Sequence, residues 1–439
     1  MFAYLRAALA QHPTALHVRL APFVLTLLPL VGDAAAQAFH QRPPNAYRQV
    51  EEDNAATRLN ARLSRGAASL PSVGRRGRLL ALLDALEVPV SSQALVFSKT
   101  SLQRHRVSPE NPRAIYFGAD AYVGWIPGAA SLEVAVGDDR MGLAFYTLAQ
   151  DPDAPPVLVR DDGCLSCHAS ARTQDEPGLL LRSVFPDEDG DPITDAGDAD
   201  MDFRQPLRDR WGGWLVTGRF HGDHRGNGIA TDGGRSGYRV ASRPAADLRA
   251  FSETFDAQVY PAATSDIGAL LALEQQATIQ NLLVRASMQA RYLLHKDDTV
   301  NEMLGERGVR PQTERILEGL AKEVAASLLM DGEADLGPHS AAPDARFAQA
   351  FAALWPQSAG GFRLGELDLV KRTFSMPLSP MVHAAAFGRL PDELRARVLR
   401  RLQVAIQRGI PPGDVRLRLE ERRALEAHLL ETLPGWPSR

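Results

Sequence analysis

The chain holds only two cysteines in 439 residues, and they stand three positions apart in Asp162-Gly-Cys164-Leu-Ser-Cys167-His168. No other feature restricts so strongly what the chain can become. A pair this sparse excludes a disulfide framework as the basis of stability. The spacing, closed by a histidine, is the pattern by which a c-type haem is attached to protein. The reason is steric: one turn carries two thioethers to the two vinyl groups on one side of a porphyrin. The next residue then turns its imidazole toward the iron. One covalent haem c is therefore expected on Cys164 and Cys167, with His168 as axial ligand.

Three other chemistries use such residues. A thioredoxin-like redox pair belongs at a helix N-terminus in a βαβ setting, which the preceding Arg160-Asp-Asp-Gly163 does not suggest. A zinc site needs four ligands; Cys164, Cys167, His221 and His224 supply the types, at long separation. A plain Cys164–Cys167 disulfide is the third.

The N-terminus bears on the compartment. Arg19 precedes the apolar run Leu20–Val31, and small residues follow at Ala34, Ala35, Ala36 and Ala38. A charged start, a short apolar core and an A-x-A-like site make a secretory signal peptide, here residues 1–38 with cleavage near Ala36 or Ala38. The run is shorter than the about 20 residues a spanning helix needs. A periplasmic or otherwise extracytoplasmic protein without a transmembrane segment after cleavage is expected, and c-type haem is attached outside the cytoplasm. Net charge is −4, and no basic stripe interleaved with aromatics argues for nucleic acid.

The rest of the chain reads as α+β. Residues 39–156 form an N-terminal region, with a Leu stripe at helical spacing over 76–87. Short β-prone runs follow at 94–97, 114–117, 121–126, 132–136 and 143–148, punctuated by turns. They predict a small antiparallel meander. Residues 157–240 are a loop-rich haem-binding region with a strand expected at Trp211–Thr217. Asp187-Glu-Asp-Gly-Asp191 lacks the later Glu of a calcium loop and reads as a hairpin turn. Residues 241–439 are helical, with helices expected at 267–294, 312–330, 343–354, 391–408 and 417–432.

The sixth iron position decides between electron transfer and ligand chemistry. The Gly-rich segment Phe220-His221-Gly222-Asp223-His224-Arg225-Gly226 follows the Trp211 strand. Its glycines would let backbone approach a flat ligand, so His224 is the first candidate distal ligand and His221 the second. Met376, in Phe374-Ser-Met-Pro377, competes. The helix from 267 has a polar centre, Glu274-Gln-Gln-Ala-Thr-Ile-Gln-Asn281, which faces either a haem cavity or hydrogen-bonding partners in the fold.

Along most of the chain the sequence resembles exported bacterial cytochrome c domain-containing proteins of unknown function. The resemblance runs through Val90-Ser-Ser-Gln93, Val96-Phe-Ser-Lys-Thr-Ser-Leu-Gln103, Tyr122-Val-Gly-Trp125, Cys164-Leu-Ser-Cys-His-Ala-Ser170, Arg182-Ser-Val184, Arg210-Trp-Gly-Gly-Trp214, Val216-Thr-Gly218 and His221-Gly222. It implies haem binding and no particular reaction. Relatives carry His at positions matching Gln275 and Gln280, where this chain departs. The expectation is electron transfer by a periplasmic mono-haem cytochrome with a redox partner protein. The alternative is a peroxidase- or oxygenase-like haem enzyme, a haem sensor or a redox-complex subunit with an open distal site. Length favours the alternative, since one small domain suffices to enclose a single haem.

Overall fold

A computed structural model describes residues 38–337 and 341–437. The expected signal peptide lies outside the described residues apart from Ala38.

The β-prone runs form one antiparallel sheet of seven strands. They are β1 (Ala94–Val96), β2 (Arg113–Phe117), β3 (Ala121–Trp125), β4 (Ser131–Asp138), β5 (Gly142–Ala149) and β6 (Leu158–Arg160), then, after β7 (Arg182–Val184) and β8 (Asp198–Asp200), β9 (Trp214–Leu215). Spatial order is β6-β5-β4-β3-β2-β1-β9, so the expected meander is present and gains a strand at each end. Register places Ile115 opposite Gly124, Gly124 opposite Glu133, Tyr122 opposite Ala135, and Ala135 opposite Phe145. These residues share one sheet face, because side chains alternate along a strand.

The strand expected at Trp211–Thr217 is shorter than its β-prone composition suggests. Trp211 takes φ +64° and Gly213 φ +86°, which keeps the chain from extending until Trp214. A Cβ on Gly213 would stand 2.5 Å from Ser98 Oγ, so the position is closed to other residues by space as well as by φ. The Asp187–Asp191 segment is a turn: Asp187 N–H donates to the Asp191 carbonyl, and the Asp187 carboxylate accepts from Asp189 and Asp191 N–H.

Helices α1 (Ala55–Ser64), α2 (Leu79–Ala85) and α3 (Leu165–His168) precede the long α4 (Ile267–Leu304). Then come α5 (Pro311–Leu328), α6 (Ala345–Ala353), α7 (Ala385–Gly388), α8 (Asp392–Gln403) and α9 (Leu419–Thr432). All five helices expected after residue 240 are present. Asp266 caps α4 by accepting from Gly268 N–H at 2.9 Å. The preceding Ser265 binds α4 to the sheet edge: its Oγ accepts from Leu95 N–H on β1 and donates to the Leu215 carbonyl on β9. Helix α4 thereby lies against the sheet. It is buried nearly all round in its first half, polar centre included, as a helix enclosed by a larger protein should be. Residues from β strands, the Cys-x-x-Cys-His turn and C-terminal helices join a single buried cluster, so the borders at 156 and 240 do not divide the core. Among the described residues no helix is long and apolar enough to cross a membrane.

Candidate functional site

Strand β6 delivers the Cys-x-x-Cys-His turn. Asp161 N–H still donates to the Phe145 carbonyl of β5 at 2.9 Å, and its carboxylate accepts from Gly163 N–H. That cap starts a tight turn at 162–164, which runs into α3. Arg160 secures the turn from behind, paired with Asp162 at 2.7 Å and Glu52 at 3.2 Å. Both thiols are free.

The His168 ring packs on Phe145 with centroids 4.8 Å apart. Its Nδ1 lies 2.7 Å from the Gly178 carbonyl. A carbonyl only accepts, so Nδ1 carries the proton and Nε2 is left bare, the form in which imidazole binds a metal. Burial also lowers the His168 pKa below its ordinary 6.5, against the opposing bond to Gly178, and favours the neutral ring. In the other direction the backbone closes the loop, with Gly178 N–H donating to the His168 carbonyl at 2.8 Å.

Cys164, Cys167 and His168 line one cavity of about 130 Å³. Its floor is the sheet face bearing Ile115, Tyr122, Gly124, Ala135 and Phe145. Ala135, in the middle of that face, is small, and the bare Cα of Gly124 leaves room for a side chain to cross the sheet. Leu179–Leu181, Trp214, and Leu273 and Ala277 of α4 complete an apolar wall.

Two arginines interrupt it. Arg113 lies across Gly124, where a Cβ would sit 2.5 Å from its Nη2, and pairs with Glu133. Glu133 also accepts from Gln103 at 3.0 Å. Burial would raise the Glu133 pKa, but Arg113 and these hydrogen bonds hold it below 4.5. Arg182 pairs with Asp198. Each guanidinium keeps a buried Nε–H without an acceptor. Buried donors normally find one, and the carboxylates of a haem supply acceptors of that kind. Two thiols, one bare imidazole nitrogen, an apolar slot and two unmet donors fit a covalent haem.

They fit the competing chemistries less well. Burial, with the Asp161 and Glu133 charges, pushes the Cys164 thiol up to about 12. A dithiol oxidoreductase needs the opposite shift. Among the described residues no group of three or more His, Cys, Asp or Glu converges as a metal site, so the proposed zinc set is not assembled.

No protein-family model, curated protein or solved structure matches the chain.

The structure does not bring the three candidate distal residues to this cavity. His221 is exposed, and Met376 packs partly buried against the core elsewhere. His224 is buried among Trp211 and Phe220, with ring centroids at 5.6 Å and 5.5 Å. Gly226 N–H donates to its Nδ1 at 3.0 Å, and its Nε2 donates to Ser242 Oγ at 3.1 Å. Both nitrogens are thus used by the fold. Gly226 serves that contact rather than a flat ligand: a Cβ there would stand 2.5 Å from Val216 and 2.9 Å from His224 Nδ1. Of the two tryptophans at the start of this segment, Trp214 lines the cavity. Trp211 instead donates its Nε1–H to Glu274.

The polar centre of α4 divides its work. Glu274 accepts from Arg210 at 2.8 Å and from Trp211, and burial raises its pKa to about 7 despite Arg210. Gln275 donates to Ser379, and Gln276 to the Gly118 carbonyl and Tyr122 hydroxyl. The Gln280 amide is buried with neither atom partnered. Thr278 and Asn281 line a second, more polar cavity on the other side of the Leu179–Leu181 segment. Gly178, Arg113, Glu133 and Arg182 escaped the sequence reading, because none has a fixed spacing from the cysteines.

Proposed function

We propose that this is an exported redox protein carrying one covalent haem c whose sixth iron position is open to a small exogenous ligand. The observation that carries the reading is the convergence of Cys164, Cys167 and a His168 with bare Nε2 on one apolar cavity. When bound, the haem supplies a one-electron couple and a coordination site. Cys164 and Cys167 tether it, His168 ligates the iron, and Phe145 fixes the ring plane of His168. Arg113 and Arg182 offer donors to its carboxylates, while Leu273, Ala277 and Leu181 exclude water. Among the described residues, the remainder of the lining contains no second His and no Met, the side chains that give a carrier its saturated iron. That composition favours the enzyme or sensor reading over simple electron transfer, which remains the second reading.

The test is protein made with a c-type maturation system. A haem-stained band should survive boiling in denaturant and be lost or weakened in Cys164→Ala and Cys167→Ala. The reduced protein should bind carbon monoxide, with a shifted Soret band. A colourless product would overturn the haem reading. A coloured product that stays low-spin and ignores carbon monoxide would restore the carrier reading.

A further inference from the structure

The cavity is shaped by residues that touch its contents, but the acceptor of the His168 Nδ1–H is a backbone carbonyl, and something must hold it. Asn281, on α4, sits 102 positions from Leu179 in sequence and grips that residue at both backbone atoms. Its Oδ1 accepts from Leu179 N–H at 2.7 Å, and its Nδ2 donates to the Leu179 carbonyl at 2.9 Å. Leu179 N–H and the Gly178 carbonyl belong to the same rigid peptide plane. Fixing the N–H therefore fixes the direction of the carbonyl that faces His168 at 2.7 Å.

Gly178 fits the same arrangement. A Cβ there would stand 2.9 Å from Asn281 Oδ1 and 2.9 Å from Thr173 Cγ2. The clamp and the loop approach each other too closely for any other residue. Thr173 meanwhile donates its Oγ1–H to the His168 carbonyl at 3.2 Å.

We propose that Asn281 is a positioning residue for the iron ligand, acting through the Leu179–Gly178 peptide, and that it sets the reduction potential of the haem. This rests on the haem reading above. A well-aimed Nδ1–H···O bond raises the electron donation of imidazole to a metal. Donation stabilises the oxidised iron. Loosening the clamp should weaken the bond, lower the donation and raise the potential.

Asn281→Leu removes both grips. Asn281→Ala removes both grips as well, without the bulk of Leu and without adding charge. Each variant is made as full-length, haem-loaded protein and titrated optically against redox mediators. Both variants should lie above the parent, with the Leu variant shifted about tenfold in the reduced-to-oxidised ratio, equivalent to about 59 mV for one electron. If Asn281→Leu does not fold, Asn281→Ala carries the test. Variants that hold covalent haem at the parent potential would overturn the proposal. A parent protein without haem would overturn the haem reading instead, and the haem stain tells the two failures apart.

Discussion

His224, buried, and His168, half-buried, show how two histidines of one chain come to different ends. His168 spends one nitrogen on a carbonyl and keeps the other bare at a cavity. His224 spends both, on Gly226 and Ser242. Sequence ranked His224 as a ligand because a Gly-flanked loop histidine after an aromatic strand looks mobile. Its hydrogen-bond partners lie 2 and 18 positions away, and the longer of these links has no sequence signal. Burial lowers its pKa to about 4, with Asp223 opposing weakly. The unfolded chain then binds a proton near pH 6.5 that the folded chain refuses. The contribution is complete above pH 6.5 and is lost as pH falls toward 4, by about 3 kcal/mol in all. His224→Gln should flatten that part of the stability curve in chemical denaturation measured from pH 4 to 7. The same variant should leave the haem spectrum as in the parent. A conversion to high-spin haem would instead return His224 to the iron.

At the scale of elements, the sequence disclosed what is local or periodic. The β runs, the turns between them and the five C-terminal helices follow from alternation, 3.6-residue periodicity and breakers, and all appear. It also disclosed the polar centre of α4, though not what each group meets, because Ser379, Gly118 and Leu179 approach only through the tertiary fold. The start of α4 carries a testable load. Asp266 accepts from Gly268 and, at 3.0 Å, from Asp344 N–H, so one carboxylate joins the α4 cap to the entry of α6. Asp266→Ala leaves both donors unmet and should cost about 2 kcal/mol or more, read as a lower denaturation midpoint. Burial raises the Asp266 pKa from 3.8 to about 7. The folded chain therefore keeps a proton that the unfolded chain releases. This contribution is full below pH 3.8 and is lost as pH rises to about 7, opposite in sign to that of His224. The destabilisation by Asp266→Ala should accordingly be largest at acid pH. An equal loss at pH 4 and pH 8 would remove the linkage while leaving the cap.

The whole molecule is organised around a slot that no single segment encloses. Its walls come from β1 to β5, the Cys-x-x-Cys-His turn, the 179–182 segment, β9 and α4, brought together across more than 100 positions. That is why the Cys-x-x-Cys-His motif could be read from sequence and the slot around it could not. The motif is one turn, whereas the slot is a product of sheet register. A slot lined by Ile115, Phe145, Leu181, Trp214 and Leu273 exposes apolar surface to water unless it is filled. Thioethers would keep the proposed haem on the chain even when unfolded, so it would not stabilise by mass action. It would stabilise because folding removes its apolar faces, and those of the lining, from water. Protein made without haem attachment should unfold at a lower temperature than the haem-loaded form, by roughly 5 °C or more. Trp214 gives this a local reporter, since an indole in the slot wall loses its emission to an adjacent porphyrin. The haem-free form should be brighter, and Trp214→Phe should shrink the difference between the two forms. Equal unfolding temperatures, or a brightness difference that Trp214→Phe leaves intact, would place the haem outside this slot even with Cys164 and Cys167 as its anchors.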